Sequence, residues 1–260
     1  DGEPYLRGSV PYDGLYGFVT RLLRPDSIIE VDGNNYLGVS TRLIRFGSSG
    51  LAGVWAEENT RESIYNAFRR KETFGTSGPR IKVRFFAGFN FEDSTFNDPN
   101  LIQDAYSKNI PMGGDIIHEK GKNPRFLLWA ISDPLGAPLQ RIQIIKGWVE
   151  EGEQKEKVFD VACSDGLSVD TQTHRCPDNG AKVNLDDCSI NTQRGDSEIK
   201  TFWQDPQFRN GQEAFYYARV LENPTCRWST WDAIRANEEP RSDIPKILQE
   251  RAWSSPIWFK

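Results

Sequence analysis

Beyond residue 79 this chain alternates apolar and polar positions with a period of two. Ile81, Val83 and Phe85 alternate with Lys82, Arg84 and Phe86, the mark of a half-buried strand. Further strands are expected at residues 125–131, 139–149, 158–163, 199–203 and 214–222. Polar stretches at 132–136 and 150–157 read as hairpin connections. Short strands with repeated turn signals predict a mostly antiparallel β-sandwich. Two short C-terminal helices are expected after it. One starts near Ser229 or Thr230, the other near Ser242 or Asp243 with Pro245 in its first turn.

Before residue 79 the pattern is different. Residues 1–46 are rich in Gly, Pro and Tyr, and their apolar runs at 15–23 and 36–46 carry no period. Irregular structure with one or two strands is expected there. After the Gly-Ser breaker at 47–50, Leu51-Ala52-Gly53-Val54-Trp55-Ala56 is continuously apolar, as in a strand buried on both faces of a helix-covered sheet. Asn59, three residues before Glu62, resembles a capping box, and Ile64, Ala67 and Phe68 form a helical stripe. Gly75 and the Ser77-Gly78-Pro79 turn are expected to stop that helix. Residues 51–75 thus read as a strand–helix unit of an α/β layer, and the whole as α+β. A strand of that kind cannot leave both edges bare. It is expected to pair with residues 1–46 or another copy of the chain, or to border a crevice.

Charge and composition exclude several classes. The 260 residues carry 32 Lys+Arg and 37 Asp+Glu, a net charge of −5 without a basic run, so the footprint of nucleic-acid binding is missing. No apolar run approaches the roughly 20 residues of a membrane span. A start on Asp1 without a signal-peptide pattern reads as a processed or truncated end.

Cys163, Cys176, Cys188 and Cys226 are even in number, and three of them punctuate a Gly/Asn/Asp-rich stretch with little to bury. A bridge such as Cys176 to Cys188 would restrain it by about 3 kcal/mol. Four cysteines allow three pairings, and spacing does not choose among them. A zinc site with His174 is the alternative, but the gaps of 12 and 11 residues contain no C-x₂-C pair. Disulfides imply an oxidising compartment, periplasmic or secreted.

Candidate chemistry is sparse. Glu57, Glu58 and Asn59 follow the carboxyl end of the apolar strand and precede the helix, where α/β proteins gather ligands. With Arg61 they are the candidate catalytic residues, although acids also favour a helix N-terminus for its dipole alone. Arg80, Arg227 and Trp228 are the candidate binding residues, and Arg227-Trp228 can equally be a structural cation–π pair. Neither His118 nor His174 belongs to a metal-binding pattern, so no metal ligand and no cofactor is assigned to this chain. Eight Trp, 15 Phe and 8 Tyr serve core packing by default, with a sugar-stacking platform as the functional alternative.

Long segments carry a resemblance. They include Gly50-Leu51-Ala52-Gly53-Val54-Trp55-Ala56-Glu57-Glu58-Asn59-Thr60-Arg61, Arg70-Lys71-Glu72-Thr73-Phe74-Gly75-Thr76-Ser77-Gly78-Pro79-Arg80 and Pro111-Met112-Gly113-Gly114-Asp115. Phe215 to Thr230 and Gln249 to Trp258 continue it. From Gly50 onward the chain resembles the C-terminal portion of a mainly bacterial domain-of-unknown-function family, numbered 3604. That family is similar to the polymerase-and-histidinol-phosphatase (PHP) metallohydrolases. The resemblance implies that residues 1–79 end a PHP-like α/β barrel and residues 80–260 form a β-rich domain. It also implies a divalent metal for the full-length family, a missing N-terminal part of the polypeptide as partner, and export. The family's H-x-H and aspartate–histidine motifs have no match in these residues.

Three functions compete on this basis. One is the C-terminal part of a phosphoesterase-type metallohydrolase, inactive alone. Another is a carbohydrate- or ligand-binding sandwich, marked by coplanar exposed tryptophans on one face. The last is a structural domain without chemistry.

Overall fold

The computed structural model describes residues 28–31, 33–37, 47 and 49–260, and the expectations for residues 1–27 and 38–46 lie outside them. β1 (Ile28–Val31) and β2 (Asn34–Leu37) form an antiparallel hairpin. The strand–helix unit follows as β3 (Leu51–Val54), α1 (Arg61–Arg69) and β4 (Thr73–Thr76). Next come β5 (Lys82–Gly88), α2 (Leu101–Lys108), β6 (Ile110–Pro111), β7 (Asp115–Ile116), β8 (Arg125–Ile131), β9 (Leu139–Glu150) and β10 (Glu153–Cys163). The remainder is β11 (Glu198–Gln204), β12 (Ala214–Glu222), β13 (Thr225–Cys226), α3 (Trp228–Arg235), β14 (Ile247–Leu248), β15 (Arg251–Ser254) and β16 (Ile257–Phe259).

Two sheets face each other across the main core, as the antiparallel sandwich reading expects. One has eight strands, in the order β10-β9-β12-β15-β4-β3, with β16 joining β12 to β7. The other has four, in the order β11-β8-β5-β6. Side-chain alternation fills the space between them. Val83 and Phe85 of β5 and Phe126 of β8 meet Ile144 of β9, Tyr216 of β12 and Phe259 of β16. Phe126 is the hub, its ring 4.8 Å from Tyr216, 5.5 Å from Trp203 and 5.8 Å from Phe85. On the far side of the four-stranded sheet, Phe86 and Leu127 are covered by Leu101 and Ala105, which share one face of α2.

Several expectations are corrected. The apolar run at 51–56 is not a strand buried on both faces. β3 is antiparallel to β4, at the edge of the described sheet, and Leu51 is 40% exposed. Among the described residues its partner is thus the strand after its own helix. The run is apolar for a different reason: Trp55 packs on the main core and donates its indole N–H to the Val83 carbonyl at 2.7 Å. The helix is capped by Thr60, whose hydroxyl accepts the Ser63 amide at 3.2 Å, and not by Asn59. It ends at Arg69, with Arg70 as its C-cap, and Lys71 (φ 59°) turns the chain into β4 well before Gly75.

β10 begins at Glu153, inside the stretch expected to be a connection. Glu151 and Gly152, both at positive φ (54° and 80°), make the two-residue turn that suits hairpin twist. Residues 242–246 form no helix, because the chain there closes onto α3. The Thr230 hydroxyl holds the Lys246 carbonyl at 2.7 Å, and Asp243 pairs with buried Arg241. The chain then finishes on β15 and β16.

All four cysteines are paired, as Cys163–Cys176 and Cys188–Cys226, which removes the zinc alternative and the Cys176–Cys188 pairing. The separations of 13 and 38 residues correspond to about 3 and 4 kcal/mol of unfolded-state restraint. Thiol titration of the denatured, unreduced protein should therefore find no free thiol, and reduction should lower Tm. Four reactive thiols would sink the assignment.

Candidate functional site: a buried carboxyl cluster

Carboxyl groups from three parts of the chain gather at one end of the sandwich. β4 leaves the sheet at Thr76, and the Ser77 amide donates to the Arg251 carbonyl at 2.9 Å. The Ser77 hydroxyl accepts the Arg251 amide at 2.8 Å and donates to the Glu250 carboxylate. Three residues on, the Arg80 amide donates to Asp133 Oδ2 at 2.7 Å, while Asp133 Oδ1 accepts the Leu135 amide at 2.9 Å. Glu222, the last residue of β12, donates its backbone N–H to the Glu250 carbonyl at 3.0 Å. Its side chain points inward and is 1% exposed. Gly136 backs it so closely that a Cβ there would lie 3.0 Å from Glu222 Oε1.

The electrostatics follow from this crowding. Glu222 Oε1 is buried without a hydrogen-bond partner among the described residues. Burial, and then the Glu250 and Asp133 charges, push the Glu222 carboxyl up to about 8. Glu250 is also raised by burial, against the opposing Ser77 hydrogen bond. Glu222 therefore holds a proton near neutral pH. No three His, Cys, Asp or Glu side chains among the described residues gather in a way that could hold a metal. The cluster fits proton storage and does not fit a metal centre.

Beside it lies a bridged amide network. Asn179 Nδ2 donates to Asn223 Oδ1 at 2.9 Å, Gln140 Nε2 donates to Asn179 Oδ1 at 3.2 Å, and Gln249 Nε2 donates to Gln140 Oε1 at 2.8 Å. Gln249 Nε2 also donates to the Glu222 carbonyl at 2.9 Å. The segments around Glu222 and Glu250 are thereby held in one geometry.

The candidate residues are divided. Arg80 joins the cluster through its backbone. Arg227 follows Glu222 by five residues, is buried, lies 5.0 Å over the Trp228 ring and donates to the Ser229 hydroxyl at 2.7 Å. Glu57, Glu58, Asn59 and Arg61 are all exposed, beyond the carboxyl end of β3. Because Leu51 pairs with Thr76 and Val54 with Thr73, that end is the opposite one from Ser77. The Glu58 amide donates to the Ser63 hydroxyl at 3.1 Å. Trp55, with the Arg84 guanidinium 3.6 Å from its ring centroid, fixes where the segment leaves the core. His118 Nε2 meets the Gln212 carbonyl at 3.0 Å, and His174 packs edge-on against Phe159.

Sequence reasoning missed Ser77, Asp133, Glu222 and Glu250 as a group. One signal was available. Glu222 continues the buried alternation of Ala214, Tyr216, Ala218 and Val220 along β12, which marks it as a buried acid even though the pairing with β9 shifts just before it.

The outer face of the eight-stranded sheet carries an aromatic row. Phe215 lies 5.0 Å from Trp258 and 6.4 Å from Tyr217, stacked on the latter at 14°. Gly147 is required beneath it, since a Cβ there would meet the Phe215 ring at 2.3 Å. Trp258 is 41% exposed and tilted by 46° to Phe215, so the row is not a pair of coplanar tryptophans.

The family model described as "Protein of unknown function (DUF3604)" matches residues 24–260. The chain belongs to this family. No curated protein and no solved structure matches it. The match spans β3, β4, β12 and β15, the strands that frame the DUF3604 carboxyl cluster. No helix among the described residues is long and apolar enough to cross a membrane.

A raised carboxyl couples stability to pH with a definite sign. Folded Glu222 titrates at about 8 against 4.5 ordinarily, so the folded state binds the extra proton between these values. Stability is full below the lower value and falls as pH rises towards the upper, by at most about 1.4 kcal/mol per pH unit. Thermal melts between pH 5 and 9 should show Tm falling with pH in the wild type. The fall should be shallower in Glu222→Gln, and identical slopes would refute the assignment.

Proposed function

We propose that this chain is the β-sandwich portion of a PHP-like, phosphoesterase-type metallohydrolase that works outside the cytoplasm. The divalent metal is held by a preceding part of the same polypeptide or by a partner copy. The supporting observation is the convergence of segments that carry the family resemblance. Ser77–Arg80, Glu222–Trp228 and Gln249–Arg251 run together at one end of the sandwich and frame the buried carboxyls. The two disulfides fit an oxidising compartment. A bound metal would supply an activated water. In this reading the exposed Glu57 and Glu58, beyond the other end of β3, border the catalytic part.

The test compares this chain with the polypeptide encoded by the complete reading frame. With added manganese or zinc, the latter should hydrolyse p-nitrophenyl phosphate and lose activity to a chelator, and this chain alone should not. In the complete molecule, Glu57→Ala or Glu58→Ala should lower turnover while changing stability by under about 1 kcal/mol. Chelator-sensitive turnover by this chain alone, or none by the complete polypeptide, overturns the reading.

A second reading is favoured by the row formed by Trp258, Phe215 and Tyr217 on the outer sheet face. Half-exposed rings of this kind can stack on the C–H faces of sugars, which makes the face a carbohydrate-binding surface. Affinity electrophoresis through gels containing soluble polysaccharides should retard the wild type and not Trp258→Ala. Unchanged mobility in every gel would remove this reading.

A further inference from the structure

Strand register brings together a positive cluster on the outer face of the eight-stranded sheet. Leu221 of β12 pairs with Arg141 of β9 on one side and Arg251 of β15 on the other. Arg219, two residues back on the same face, pairs with Gln143 and Trp253. Three guanidinium groups from three adjacent strands therefore surround one buried leucine. All three are half-buried, at one corner of a protein whose net charge is −5.

Their own hydrogen bonds answer only part of this charge, and Arg141 spends one Nη on Gln140 Oε1. Arg219 spends Nε on Gln143 Oε1 at 2.7 Å, and Arg251 spends Nε on the Gln249 carbonyl at 3.1 Å. The Nη nitrogens of both lack a partner among the described residues. Asp160 stands 3.8 Å from Arg141 Nε, while Glu156 acts on Arg219 and Glu250 on Arg251 only through their charge. Asp160 is already engaged by Gln143, the Cys176 amide and Arg175. Burial pulls the Arg219 pKa down, as do the facing Arg251 and Arg141 charges, while Tyr217 and Glu156 oppose the shift. Like charges on neighbouring strands destabilise a sheet. A fold that keeps three of them together gains most when an anion neutralises them.

We propose that Arg141, Arg219 and Arg251 form a binding site for a tetrahedral oxyanion, the phosphate or sulfate group of a monoester. Paired guanidinium N–H groups match the oxygens of such a group, and the register sets Arg219 and Arg251 on the same face of the sheet. Trp253, directly across from Arg219, and Tyr217 beside it supply flat surfaces for the ring that bears the ester. The site rests on the arginines and is independent of the hydrolase reading, because it lies on the outer face and makes no demand on a metal.

Isothermal titration at constant ionic strength tests the site with inorganic phosphate, glucose 6-phosphate, glucose 6-sulfate and glucose. Saturable binding is expected for the esters and not for glucose, and the tighter ester identifies the source of the oxyanion. The double substitution Arg219→Gln with Arg251→Gln should weaken ester binding by about tenfold or more. As a second readout, glucose 6-phosphate at fixed ionic strength should raise Tm in the wild type and not in the double variant. Absence of saturable ester binding, equal affinity in the double variant, or equal binding of glucose would each overturn the proposal. Failure of phosphoesterase activity would leave these measurements unaffected.

Discussion

The pleat of β12 is the constraint on which the rest of the molecule depends. It lies between β9, which it pairs along its whole length, and β15 with β16 on the other side. Its inward phase runs Ala214, Tyr216, Ala218, Val220 and then Glu222; its outward phase runs Phe215, Tyr217, Arg219 and Leu221. A one-residue slip would exchange the two sets and drive an arginine into the core. The alternation that seats Tyr216 against Phe126 therefore also lays the aromatic row and Arg219 on the outer face. Core and outer surface are two consequences of one register, and the acid cluster begins where that register shifts, between Leu221 and Glu222.

Two inward-facing ionisable groups meet different fates. Lys146 stands in the core phase of β9, and its ammonium reaches Asp205 Oδ2 at 2.8 Å and the Gln207 carbonyl at 3.2 Å. Asp205 also accepts the Tyr216 hydroxyl at 2.8 Å and the Gln207 amide at 2.7 Å. Burial raises the Tyr216 pKa and Asp205 raises it further, so the phenol remains a donor. This buried pair is satisfied at both ends, and removing one partner would strand the other at a cost of about 3–5 kcal/mol. Glu222 faces further carboxyls in place of a cation, and neutralises itself with a proton. One arrangement fixes structure; the other leaves a group that responds to pH.

What the sequence disclosed follows from how burial was patterned. β12 is legible because its alternation is apolar on the inward phase, and β8 because it is apolar without a break from Phe126 to Ile131. The start of β10 is not, because its first turn-side residues, Glu153 to Lys157, extend past the core and carry charge on both phases. The 51–56 run misled because continuous apolar residues look alike in a doubly buried strand and in an edge strand running into a core tryptophan. β15 and β16 hide behind Ser255-Pro256, which resembles a terminator more than a link between two strands. For the site, Arg80 was legible and Glu222 was available from phase alone. Asp133 and Glu250 were not, since their proximity depends on long-range pairing between β4, β12 and β15.

The acid and arginine clusters occupy two faces of the same corner. Glu222 follows Leu221, the residue that Arg141 and Arg251 flank, and Glu250 precedes Arg251. The Arg251 charge already counteracts the rise in the Glu250 pKa. An anion seated on the outer face would cancel part of that positive field and strengthen the hold of the inner carboxyls on their proton. By reciprocity, protonated inner carboxyls leave the arginines more positive towards an incoming anion. The two clusters are also joined by hydrogen bonds: Ser77 links the Arg251 amide to the Glu250 carboxylate, and Gln249 links Arg251 Nε to Gln140 and to the Glu222 carbonyl. A sandwich without a metal centre among its described residues can in this way still join proton uptake to anion capture.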